Sequence, residues 1–298
     1  EALEIGRRAR IPIVLTHHKA IGQQMWGKSV VTLAMVDSAR RAGTDVMIDQ
    51  YPYTASSTGF DVLMPNWALA GGVAELKKRL DNPELRNAIE KGILDLLLND
   101  RGGGDIKRVQ FANVPWDPSL NGKTLYDWAV KRGVSPTPEG AVPLVIEGVL
   151  KGGPSMVFHV MDEGDVRRIM QHPMTMIASD GRLSKPGADV PHPRNYGTFP
   201  RVLGEYVRVQ KVLTLENAVQ KMTGMPARRL GLGDRGCIRE GCAADITVFD
   251  PATVADKGTF TEPHQYPAGI EWVFVAGQAV VADGKFTDVR AGRVLRHK

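Results

Sequence analysis

Two cysteines in 298 residues are too few for a disulfide framework. Cys237 and Cys242 flank an expected turn and have no histidine close by, which makes a zinc knuckle improbable. Such sparse cysteine fits a reducing compartment. The expected location is cytoplasmic, with the periplasm as the alternative. No apolar run approaches the length of a membrane span. Lys and Arg outnumber Asp and Glu by 38 to 33, a net charge of +5. These charges form no block and do not alternate with aromatics, which argues against nucleic acid as a partner. There is no Gly-rich phosphate cradle, no short-period repeat and no low-complexity tract. The first residues show no signal-peptide pattern, which carries no weight in a sequence that opens as this one does. The opening Glu1-Ala-Leu-Glu-Ile-Gly-Arg-Arg-Ala-Arg reads as the middle of a helix, without Met or cap, so an N-terminal portion is expected to be lacking.

What is present has an α/β rhythm. Ile11-Pro-Ile-Val-Leu-Thr16 is a β-branched run, and Ser29 to Ala42 is helical by pattern, stopped by Gly43. Asp45-Val-Met-Ile-Asp49 is the next strand. Strand, helix, strand with short connections implies a βαβ unit and parallel pairing. Residues 60–115 break this rhythm and are too long for a βα loop, so an insertion with a Gly102-Gly-Gly104 joint is expected. Helices are expected at Thr124–Arg132, Ala141–Leu150 and Glu163–Gln171, with a buried strand at Ser155-Met-Val-Phe-His159. An apolar run then ends abruptly at Ser179-Asp180-Gly181. A polar loop follows from Arg182 to Pro200, and an amphipathic helix from Leu215 to Leu230 ends at Gly231. From 233 onward short strands alternate with Gly and Asp, and Val275-Ala-Gly-Gln278 and Ala282-Asp-Gly284 read as hairpin turns of a small all-β domain. The expected division is 1–59 and 116–232 as strands and helices of one parallel domain, 60–115 as the insertion, and 233–298 as the small domain.

Several side chains with chemical potential lie at the C-terminal ends of expected strands: His17 and Lys19, Tyr51 to Ser57, His159, and Asp180. In α/β barrels those ends meet on one face and carry the chemistry. An imidazole at one strand end and a carboxylate at another suit a metal-hydrolase centre, where the carboxylate accepts a proton from metal-bound water. Taken alone, Asp180 reads as turn chemistry, and His17 as a loop histidine. His18 neighbours His17 and points elsewhere, so only one of the two suits a ligand. A packing role is expected for His159, and a solvated one for His172, His192, His264 and His297. Lys19, Tyr51, Ser57 and Arg194 together suit an anionic group, since Lys supplies a point charge, Arg a bidentate fork, and Tyr and Ser neutral donors.

The segment Thr16-His-His-Lys19 with Trp26-Gly-Lys-Ser29 resembles a signature of the N-acyl-D-amino-acid deacylases, or D-aminoacylases, within the amidohydrolase superfamily. So do Asp49-Gln-Tyr-Pro-Tyr-Thr-Ala-Ser-Ser-Thr58, Met161-Asp-Glu163, Ser179-Asp-Gly181, His192-Pro-Arg194 with Gly197-Thr-Phe-Pro-Arg201, Lys221-Met-Thr-Gly224 and Ala243-Ala-Asp-Ile-Thr-Val-Phe-Asp250. The match runs nearly end to end and is weakest over 60–115. The resemblance implies the C-terminal part of a (β/α)8 TIM-type barrel with an inserted helical lid, a flanking small β-sandwich, and zinc. By motif, His17 matches the metal-binding histidine and Asp180 the catalytic aspartate. Lys19, Tyr51, Ser57 and Arg194 match residues that hold the substrate carboxylate, with Tyr53 as the alternative to Tyr51. The family's opening His-x-His motif, its cysteine ligand and a further histidine have no counterpart here, so the front half of the barrel is expected outside this sequence, as a second chain or as a further segment.

The expected activity is zinc-dependent hydrolysis of the amide bond of N-acyl-D-amino acids, with Asp180 as general base. A cyclic-amide hydrolase of hydantoinase or dihydroorotase type is the alternative on the same scaffold. A non-catalytic half-barrel subunit is the alternative from another class. The segment carrying Arg194 favours the acyclic, carboxylate-bearing substrate.

Overall fold

The computed structural model describes residues 1–295; His297, expected to be solvated, lies outside the described residues. Three parallel strands, β1 (Ile13–Leu15), β2 (Val46–Gln50) and β6 (Thr175–Ile177), form one sheet in the order β1-β2-β6. The chain passes from β1 to β2 through the helix Ser29–Arg41, which stops before Gly43 at φ 88°. This helix and Glu163–Gln171 cover one face of the sheet, burying Leu33, Val36, Val46, Ile48 and Ile169 together. The βαβ unit and its parallel pairing are as the apolar pattern indicates.

Residues from Ser56 to Phe158 contribute a second sheet and a core of their own. Strands β3 (Ser56–Gly59), β4 (Val109–Asn113) and β5 (Ser155–Phe158) form a second sheet in the order β3-β5-β4, antiparallel throughout. Ser155–Phe158, expected beside the parallel strands, pairs with neither β2 nor β6. The helices Pro83–Asn99, Leu125–Lys131 and Pro138–Leu150 share one core with Phe60, Phe111 and Phe158. Residues after 115 therefore continue to pack with the interruption. An apolar strand pattern marks burial on both faces but says nothing about the direction of its partners.

Two further departures concern helices. The stretch Arg182–Pro200, expected as loop, contains the helix Arg194–Arg201, which continues as a π-helical segment Val202–Val209. The helix expected over 215–230 is broken into Leu215–Met222 and Gly224–Arg229. Thr223 leaves helical geometry at the break (φ −130°, ψ −81°), and its hydroxyl donates back to the Val219 carbonyl at 2.7 Å.

The last four strands, β7 (Ile246–Phe249), β8 (Ile270–Val275), β9 (Gln278–Ala282) and β10 (Lys285–Phe286), form one antiparallel sheet in the order β10-β9-β8-β7. Both expected hairpin turns are present. Ala276 and Gly277, and Asp283 and Gly284, all have positive φ, as two-residue turns between twisted strands require. Among the described residues this is a single sheet rather than two facing ones, and its strands are only half-buried. Cys237 and Cys242, expected to imply no disulfide framework, are joined as a single disulfide closing a short loop before β7. Two cysteines cannot form a framework, but the turn between them brings the pair within bonding reach.

Candidate active site at the ends of the parallel strands

Because β1, β2 and β6 are parallel and adjacent, their C-terminal ends share one edge of the sheet. That edge carries His17 after β1, Tyr51 after β2 and Asp180 after β6. His17 and Asp180 stand two strands apart, about 10 Å at ordinary strand spacing. Both have left-handed backbone, at φ 44° and 48°, and they are two of only six such non-glycine residues described. This conformation costs about 1–3 kcal/mol for a residue with a Cβ and persists where surrounding contacts impose it. For His17 the contact is explicit: its backbone N–H donates to Asp49 Oδ1 at 2.6 Å, while the His18 N–H donates to the Asp49 carbonyl at 2.8 Å. Burial raises the Asp49 carboxyl above its ordinary value. Asp49 was read only as the end of a strand; a carboxylate closing an apolar run is the signal that marks it, as it marks Asp180.

The two histidines diverge. The His17 side chain is exposed, and its ring has no hydrogen-bond partner among the described residues. His18 turns inward, with Nε2 2.9 Å from Thr32 Oγ1 on the covering helix, and burial lowers its pKa.

Arg194 and Asp180 meet directly, with Nη2 2.9 Å from Oδ2. The Arg194 side chain is 5% exposed and that of Asp180 43%. The guanidinium lies over the Tyr51 ring at 4.6 Å, and Lys19 Nζ approaches the same ring at 5.3 Å. Arg194 Nη1 is buried with no partner. Lys19 donates to the His17 carbonyl at 2.6 Å. Burial pushes the Lys19 ammonium down to about 8, against the pull of Asp180 and with the help of Arg101 and Arg194. Tyr51 is pushed up to about 12 by burial. Arg101 was not singled out; the Gly102-Gly-Gly104 joint beside it marks a turn but not a charge directed at the strand ends. Hydrogen bonds from Gln24 to Asn99 (2.8 Å) and from Gly22 to Val160 (3.0 Å) bring the interruption against the loop following Lys19.

A cavity of about 170 Å³ opens beside the ion pair, lined among others by Ser57, Asp180, Arg182, Asp189, Arg194 and Asn195. Ser57 reaches it from β3 and donates to the Met156 carbonyl at 2.8 Å. Asp180, Arg194 and Ser57 thus share one cavity, and Tyr51 carries Arg194 on its ring; His17, Lys19 and Tyr51 do not line that cavity. Tyr53, the alternative to Tyr51, is directed inward: its buried hydroxyl has no partner, and Arg201 covers its ring at 4.9 Å. A larger cavity, about 530 Å³, lies between Phe199, Leu203, Met222 and strands β7 and β8. It is apolar and contains none of the strand-end residues.

The loop histidines are not solvated. His192 is 2% exposed. Its Nδ1 accepts from the Arg194 N–H at 3.0 Å, so Nε2 carries the proton donated to the Ala55 carbonyl, also at 3.0 Å. Burial, then Arg194, hold this imidazole well below its ordinary pKa. His172 Nε2 meets Asp37 Oδ1 at 3.0 Å, and His264 bridges Tyr196 Oη and Asp189. Loop position indicated exposure, but tertiary packing covers all three. His159 meets Gln110 Oε1 at 2.8 Å and packs edge-on against Phe260, in the packing role expected of it.

Among the described residues no three His, Cys, Asp or Glu side chains gather into a metal-binding group. The free His17 imidazole fits one position of a zinc shell that needs three or four donors. This chain's donors therefore suit a share in a zinc site and not a whole one.

A family model described as the amidohydrolase family matches residues 111–281. The chain is similar to a D-aminoacylase of Alcaligenes xylosoxydans xylosoxydans, 39% identical over 295 residues, covering 99% of this chain and 51% of that protein. It is similar to a solved D-aminoacylase studied for its binuclear metal centre, with TM-score 0.76 and 37% identity over 99% of this chain and 52% of the other. It is also similar to the N-acyl-D-glutamate deacylase of Bordetella bronchiseptica, solved with zinc and a phosphonate inhibitor, with TM-score 0.74 and 35% identity over 99% and 52%. The chain spans about half the length of the curated relatives it matches.

Proposed function

The chain belongs to the amidohydrolase family, and from that premise we propose that it supplies the proton acceptor and the carboxylate clamp of a zinc-dependent N-acyl-D-amino-acid deacylase. The observation that carries this reading is Arg194: a buried guanidinium with one unpartnered nitrogen, beside an exposed carboxylate at the C-terminal edge of a parallel sheet. A cyclic amide without a free carboxylate has no use for such a fork. The three parallel strands are read as part of a (β/α)8 barrel, residues 60–160 as a lid over its mouth, and β7–β10 as part of a flanking sandwich.

In this reading Arg194 receives the substrate's α-carboxylate bidentately, Lys19 adds a point charge, and Tyr51 and Ser57 complete the polar wall. His17 contributes one zinc ligand, and the other donors come from outside the described residues. When bound, zinc polarises the acyl carbonyl and makes its water a nucleophile near neutral pH. Asp180 would accept a proton from the water whose oxygen bonds to the acyl carbon, and would return it to the amide nitrogen as the C–N bond breaks. A carboxylic acid and a D-amino acid leave.

The test is zinc content and hydrolysis of N-acetyl-D- and N-acetyl-L-amino acids by this chain alone and after mixing with a polypeptide spanning the other half of a relative's length. The reading expects weak zinc binding by the chain alone and D-selective hydrolysis in the mixture. Hydrolysis of hydantoins in preference to N-acyl-D-amino acids would overturn it.

A further inference from the structure

We infer that Asp49 is a positioning residue: its carboxylate holds the His17 backbone in a left-handed turn and so aims this imidazole at the strand ends, ready for zinc. This rests on the reading of His17 as a zinc ligand and adds to it the group that directs the ligand. The peptide groups around His17 are bound on both sides. Its N–H donates to Asp49 Oδ1 at 2.6 Å, and its carbonyl accepts from Lys19 Nζ at 2.6 Å. The His18 N–H donates to the Asp49 carbonyl at 2.8 Å. Two of these three bonds are charge-assisted, a class about twice as strong as neutral ones. Strands β1 and β2 pair as far as Leu15 with Ile48, so Asp49 is the next residue along and stands beside the turn.

The turn decides where each histidine points. Side chains alternate along an extended chain, and a residue at φ 44° just past β1 breaks that alternation. His17 is left exposed at the edge, while His18 turns inward to Thr32 Oγ1 at 2.9 Å. A residue with a Cβ leaves this conformation unless its surroundings impose it. Removing the Asp49 carboxylate takes away the partner of the His17 N–H. A return to negative φ then changes the direction of the Cα–Cβ bond, and of the imidazole with it. Asp49 thus acts on zinc only through the backbone of His17.

Zinc affinity tests this without turnover. In a chelator titration of the zinc-loaded enzyme, Asp49→Ala should weaken zinc binding by about 10–100-fold, the usual effect of removing a group that orients a metal ligand. Asp49→Asn keeps an oxygen acceptor at the same reach and should restore most of that affinity. Wild-type affinity in Asp49→Ala would overturn the inference. So would an equal loss in Asp49→Asn, because the charge and not the backbone bond would then be what zinc responds to. The metal-free wild type supplies a measurement that needs no variant to fold. Although its residue is exposed, the His17 amide proton should exchange at least about tenfold more slowly than a free amide, followed by NMR. Exchange at the free rate would also overturn the inference. His17→Ala in the same titration judges the premise: unchanged zinc affinity there would overturn the reading of His17 as a ligand, and the amide exchange would still judge the Asp49 bond by itself.

Discussion

His192 gives a prediction whose size follows from its contacts. Replacing it with Ala strands the Arg194 N–H and the Ala55 carbonyl, both in buried residues. Each buried group left without a partner costs about 1–3 kcal/mol. The ring also meets Tyr53 and Phe260 edge-on, with centroids at 5.0 and 5.1 Å, and such pairs contribute about 0.5–1.5 kcal/mol each. Allowing for overlap, His192→Ala should lose about 3–5 kcal/mol. A second signature is its pH dependence. The folded protein keeps this imidazole neutral well below 6.5, whereas the unfolded chain takes up a proton near that value. The unfolded state thus binds more protons below 6.5, and stability, complete above it, falls with falling pH by about 1.4 kcal/mol per unit until the folded value is reached. Urea midpoints from pH 7.5 to 5.5 for the wild type and His192→Gln isolate this term. His18 and His159, also lowered by burial, contribute equally to both proteins. Equal slopes in the two proteins would refute the assignment of a neutral, locked His192.

Asp180→Asn in the zinc-loaded enzyme should retain metal and lose about two to four decades in kcat, read by steady-state kinetics with zinc analysis; a loss of only a few-fold would contradict its role as base. His17→Ala should lower zinc content while His18→Ala leaves it unchanged, since the His18 ring faces Thr32; equal losses would show the assignment to be wrong. A Cβ at Gly148 would sit 2.5 Å from Phe60 Cε1, so Gly148→Val should destabilise the insert by about 1–3 kcal/mol in urea unfolding. A carboxylate-bearing substrate analogue should slow hydrogen exchange at residues 99–108 more than in β7–β10; uniform change would remove support for a lid.

The strand ends were legible because the same residues that end an apolar run place a polar side chain beyond it, as Leu15 to His17 and Ile177 to Asp180 do. The path of residues 109–158 was not. Lys107–Ala112 and Ser155–His159 read as strands, but the antiparallel pairing of β5 with both β3 and β4 depends on where distant segments arrive. His192 sits between prolines in an apparent loop, and no local pattern tells that Ala55, Tyr53 and Phe260 close around it.

Sequence by itself determined what short-range sterics and periodicity control. The βαβ unit, with its helix stopped at Gly43, and the left-handed turns at Ala276–Gly277 and Asp283–Gly284 belong here, because φ preference and apolar spacing act within a few residues. Tertiary structure alone decided the directions of β4 and β5, the burial of His192, and the pairing of Arg194 with Asp180. Each of these depends on desolvation and charge pairing between groups that meet only after the chain has folded, and such energies have no local signature.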